Sequence, residues 1–120
     1  MAQLQQEHEK KRHILQATSA KLEKLSQNIQ EYTRQKLEND MVLKELQVLS
    51  EDSAVYKKIG PCLIKQDMFE ASSNVQKRID YIMEELERLE KQKTLYDKEH
   101  KETSQQLQKI QGQVQRVMQV

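Results

Sequence analysis

Ser53-Ala-Val-Tyr-Lys-Lys-Ile-Gly-Pro-Cys-Leu-Ile-Lys-Gln66 decides how this chain folds. It is the one stretch rich in β-branched and aromatic residues, and Gly60-Pro61 near its centre is a turn signal. Strands over about residues 54–59 and 62–66 make a β-hairpin, and a hairpin reverses the chain. Val55 and Ile59 fall on one face with Tyr56 on the other, while Cys62 and Ile64 alternate with Leu63. Both faces are thus partly apolar, and so small a chain has no further layer to cover them. A lone two-stranded hairpin is marginal in water and its edges carry unpaired backbone groups. Partner chains that extend the sheet through Val55, Tyr56, Ile59, Cys62, Leu63 and Ile64 answer both problems. The plainer alternative is a hairpin folded back over its own helix ends.

Outward from the hairpin the period changes from two to 3.5. Residues 2 to 50 contain no Gly or Pro, and spacings of three and four run through them without a slip. One seam position takes His8, Leu15, Leu22, Ile29, Lys36, Leu43 and Ser50; the other takes Leu4, Lys11, Thr18, Leu25, Tyr32, Asn39 and Leu46. The rhythm resumes over about residues 68–118. Ser72, Ile79, Leu86, Lys93, His100, Leu107 and Val114 hold one seam position there, and Val75, Ile82, Leu89, Tyr96, Thr103, Ile110 and Val117 the other. So many heptads predict two coiled-coil helices, each about 47 residues or roughly 70 Å long. With the chain reversed between them they pair antiparallel. A register in which paired residue numbers sum to 118 brings every seam position onto its complement: Leu22 meets Tyr96, Ile29 meets Leu89 and Leu43 meets Val75. Shifts of a whole heptad pair seam with seam as well, so the position of the hairpin favours this register without fixing it. The fold class is mainly α: a long antiparallel two-helix hairpin with a central β-hairpin, in one domain of residues 1–120.

Composition agrees with that class and narrows the function. Of the 120 residues 32% are charged and 4% aromatic, which suits long solvated helices and not a thick globular core. Lys plus Arg number 20 against 19 Asp plus Glu, a formal net charge of +1, and such balance argues against a nucleic-acid-binding arm. No apolar run approaches the ~20 residues of a membrane span, and Met1 to Lys11 is too polar for a signal peptide. The lone Cys62 suits a reducing compartment, so a cytoplasmic protein is expected, with nuclear residence open.

No chemistry-bearing constellation stands out. Two glycines cannot form a phosphate-cradling loop. His8 and His13 do not share a helix face, and His100 and Cys62 have no neighbouring ligands. Glu84, Glu85 and Glu87 read as a solvated face. We therefore expect no enzyme activity, no metal and no cofactor. The seam also carries a gradient. Near the hairpin it is largely aliphatic; farther out come His8, Lys11, Thr18, His100 and Thr103, yet both ends again carry Met1, Leu4, Val114, Val117, Met118 and Val120. Apolar, Met-containing ends on a loosely paired coil can repack against varied surfaces. Frayed termini with ordinary end-of-helix hydrophobes are the alternative.

Glu45-Leu-Gln-Val-Leu49 and Val55-Tyr-Lys-Lys-Ile-Gly-Pro-Cys-Leu-Ile-Lys-Gln66 closely resemble the strand signature of β-class prefoldin subunits. Gln35-Lys-Leu-Glu-Asn-Asp-Met41 and Lys77-Arg-Ile-Asp-Tyr-Ile82 look like the subunit-six branch of the eukaryotic family. The resemblance implies a hexamer of two α-class and four β-class subunits whose hairpins form an intersubunit β-barrel. It implies ATP-independent capture of unfolded or nascent actin and tubulin, followed by delivery to the cytosolic chaperonin. On this chain residues 54–66 would join the barrel, and the tip residues Met1, Leu4, Val114, Val117 and Met118 would contact the client. A structural coiled-coil scaffold or tether without client-holding activity is the competing function, because coiled coils serve many purposes.

Overall fold

A computed structural model of the chain describes residues 2–49 and 53–119. Its elements run α1 (Ala2–Val48), β1 (Val55–Ile59), β2 (Cys62–Gln66) and α2 (Met68–Met118). With no Gly or Pro before residue 60, α1 has no intrinsic breaker. It ends at Val48, within two residues of the expected boundary, and Ser50 of the expected seam lies outside the described residues. Asp67 takes the N-cap position of α2, a site that favours Asp, and its carbonyl accepts the bond from the Ala71 amide at 2.9 Å.

β1 and β2 pair antiparallel, with Ile59 opposite Cys62, which makes Gly60 and Pro61 the two central turn residues. Gly60 has a φ of 57°, a conformation that a side chain would strain. Pro61 holds its own φ near about −65°. A positive φ followed by a negative one is a type II′ turn, whose twist suits a two-residue hairpin. A Gly-Pro pair at this spacing therefore sets the register of the strands.

The chain divides into two compact units. The hairpin unit, Gln30–Arg88, holds both strands and the adjoining parts of the helices; the terminal unit comprises Met1–Ile29 and Leu89–Val120. In the hairpin unit Leu46, Ala71, Val75 and Ile79 form a buried cluster against which Leu43 and Val55 pack. Residues 43 and 46 of α1 thus meet residues 71–79 of α2, as antiparallel helices require. In the terminal unit the buried residues are Thr18, Leu25, Leu89, Thr103 and Ile110. Cross-helix contacts there join Ser19 to His100 at 3.0 Å and His8 to Gln111 at 3.3 Å, and place the Lys21 ammonium 5.3 Å from the Tyr96 ring centre. These pairs add to 117–119, on either side of the expected 118. Every described seam residue is buried or half-buried except Val117, whose counterpart in that register is Met1, outside the described residues.

Candidate assembly surface and client tip

The hairpin residues expected at an interface do not share one environment. Strand pairing puts Val55, Lys57, Ile59, Cys62, Ile64 and Gln66 on one face and Tyr56, Lys58, Leu63 and Lys65 on the other. On the first face Val55, next to the helix ends, packs against the Leu46–Ala71–Val75–Ile79 cluster. That side chain is engaged within its own chain. Ile59 and Ile64, nearer the turn, stay 51% and 49% exposed, and Cys62 is exposed too. On the second face Tyr56 is 55% and Leu63 68% exposed. The hairpin thus folds back at its base only, and five of the six interface candidates remain uncovered. Elsewhere in the hairpin unit the apolar side chains of Leu37, Met41, Val48 and Phe69 are exposed too.

In the terminal unit the candidate tip residues also divide. Leu4 and Val114 are half-buried, and Val114 lines a hollow of about 510 Å³ with Gln5, His8, Glu9, Gln111 and Gln115. Val117 and Met118 are 49% and 71% exposed. Met1 lies outside the described residues. The Glu9 carboxyl is held below its ordinary range, chiefly by the hydrogen bond from the Arg12 guanidinium. This end offers apolar side chains in a polar rim and no rigid constellation.

Two features of the hairpin unit were not read from the sequence. The Tyr81 hydroxyl pKa is raised, first by the Glu85 carboxylate and then by the Tyr32 hydroxyl. Arg88 in turn donates to Glu85 at 2.8 Å. Tyr32 was visible as a seam residue, but the heptad gives Tyr81 no partner. The second feature is a hollow of about 290 Å³ bordered by Val55, Tyr56, Lys57, Lys58 and Arg78. Among the described residues no group of three His, Cys, Asp or Glu side chains is placed to hold a metal ion. Among the described residues no helix is long and apolar enough to cross a membrane either.

The sequence profile of the family described as Prefoldin subunit matches residues 9–114 of this chain. The chain belongs to the prefoldin subunit family. Prefoldin subunit 6 of Arabidopsis thaliana is 46% identical over 101 residues, which cover 84% of this chain and 77% of that one. Prefoldin subunit 6 of Homo sapiens is 38% identical over 88 residues, 69% of this chain and 68% of the human one. Both names agree with the branch to which residues 35–41 and 77–82 point. In fold, the prefoldin β subunit of Thermococcus strain KS-1 superposes with a TM-score of 0.78 over 91% of this chain and 92% of the archaeal one, at 24% identity. Two long helices joined by a small antiparallel hairpin are thus the prefoldin β-subunit fold. Prefoldin subunits form a chaperone family and not a known enzyme family, and their partners are other prefoldin subunits.

Proposed function

We propose that this chain is one subunit of a hetero-hexameric, ATP-independent molecular chaperone. Its β-hairpin joins those of other α-class and β-class subunits in an intersubunit β-barrel. Its coiled-coil tip takes part in holding unfolded or nascent proteins, actin and tubulin among them, for delivery to the cytosolic chaperonin. The working compartment is the cytoplasm, with the nucleus as a second location. The observation that carries the reading is the hairpin: Tyr56, Ile59, Leu63 and Ile64 are each about half exposed or more, spread over both faces. A two-stranded sheet in that state gains both apolar burial and backbone pairing when further strands cover it. For the tip, the support is the exposure of Val117 and the flexible Met118 beside a polar seam.

Two variants test the two halves. Ile59→Asp/Leu63→Asp/Ile64→Asp spares Val55 and its core, so the helices should persist by circular dichroism while the hexamer disappears on size-exclusion chromatography. An intact hexamer from that variant refutes assembly through the hairpin. Removing residues 1–4 and 117–120 should leave the hexamer intact and weaken suppression of denatured-actin aggregation. Undiminished suppression moves the client contact elsewhere.

A further inference from the structure

The hollow beneath β1 is chemically one-sided. Its apolar floor comes from Val42, Leu46, Val55 and Val75, and its cations are Lys57, Lys58 and Arg78. A shallow groove that shares Arg78 adds Lys77 beside Gln35 and Asn39. Neither lining contains an Asp or a Glu. Among the described residues, the salt bridges of this chain engage none of these four cations. In a chain of net charge +1, four unpaired positive charges around adjoining concavities are a local excess that repels itself until an anion arrives. Lys57 shares the face of Val55, which packs into the core, so its side chain leaves the strand on the side of the helices. Four consecutive strand residues, 55–58, border the hollow. Alternating side chains do that where a backbone edge, with its hydrogen-bonding groups, faces the space as well.

We propose that this hollow receives an acidic peptide segment of a neighbouring subunit, with one aliphatic side chain seated on the apolar floor and flanking carboxylates paired with Lys57, Lys58 and Arg78. The volume suits one or two side chains and no larger ligand. A neighbouring subunit is the source because β1 is both the wall of the hollow and part of the surface assigned to assembly. The inference therefore rests on the assembly reading and adds its electrostatic specificity: carboxylates opposite these cations select the correct neighbour, and a basic segment is repelled.

The test is zero-length carbodiimide cross-linking of the complex isolated on a tagged copy of the full chain, read by peptide mass spectrometry. The expected product joins Lys57 or Lys58 to an Asp or Glu of another subunit. Arg78→Glu should cut its yield by about tenfold, because reversing one charge beside the paired carboxylate weakens docking. An intact complex in which these lysines link only to their own chain, or to nothing, overturns the inference and leaves assembly standing. So does a yield that Arg78→Glu does not change. A tagged chain that isolates alone overturns the assembly reading and this inference with it.

Discussion

In the hairpin unit the buried residues are Leu46, Ala71, Val75, Ile79 and Ile82, all apolar; in the terminal unit two of five, Thr18 and Thr103, are polar. Both units follow the same heptad, so the seam pattern alone does not set how firmly the helices hold. Thr18 donates its hydroxyl to the Ile14 carbonyl at 2.8 Å within its own helix, which satisfies the group without adding anything across the seam. Ser19–His100 and His8–Gln111 supply polar pairs where the hairpin unit packs aliphatic side chains. The hairpin unit holds its shape with a wholly apolar buried cluster beneath the surface that we assign to assembly. The terminal unit puts polar layers into the seam toward the ends that we assign to clients, which lowers the apolar burial that holds its helices together.

The comparison breaks first at the core. Ile79→Ala should lower the unfolding free energy by about 3 kcal/mol, and Ile110→Ala in the terminal unit by about 2 kcal/mol or less, both read from urea titrations. Equal losses would erase the difference between the units. Next, amide hydrogen exchange at residues 8–18 and 100–111 should run about tenfold faster than at residues 39–46 and 71–82. Uniform protection would contradict a graded coil. A smaller effect is expected from Thr18→Val with Thr103→Val. This pair should raise stability by about 0.5–1 kcal/mol through added apolar burial, and bring terminal-unit exchange closer to that of the hairpin unit.

The smallest effect is acid sensitivity, and it should be alike in the two units. Glu31 is held below its ordinary carboxyl pKa of 4.5, first by the Arg34 hydrogen bond and then by Gln35, much as Arg12 holds Glu9. A depressed folded-state pKa contributes stability above the unfolded value and loses it as pH falls through the folded one. Both contributions should therefore be intact above about pH 5 and fade below pH 4.5, and only slightly, because exposed pairs are weak. Glu31→Gln should flatten its share of the acid limb of a stability–pH profile. An unchanged limb would show that the Glu31–Arg34 pair does nothing for folding.

Much of this architecture was legible in the residues. Gly60-Pro61 between two β-branched runs located the reversal, and the absence of Gly and Pro from the first arm gave an unbroken helix. Seam arithmetic came within one residue of the cross-helix contacts at His100 and Gln111. What periodicity could not supply was which way each face of the hairpin turns. Alternation placed Val55 and Ile59 together, yet only three-dimensional closure decides that Val55 meets the core while Ile59 stays out. The hollow under β1 escaped for the same reason. Lys57 and Arg78 are 21 positions apart, and no heptad or motif ties a strand residue to a helix residue across a turn.

The most direct test of the account is native mass spectrometry of the complex that forms around a tagged copy of this chain. It predicts one hexamer, this subunit with five other short coiled-coil chains, which dissociates when Ile59, Leu63 and Ile64 are replaced by Asp. A homo-oligomer, or one large unrelated partner that survives those replacements, would contradict assembly through the hairpin.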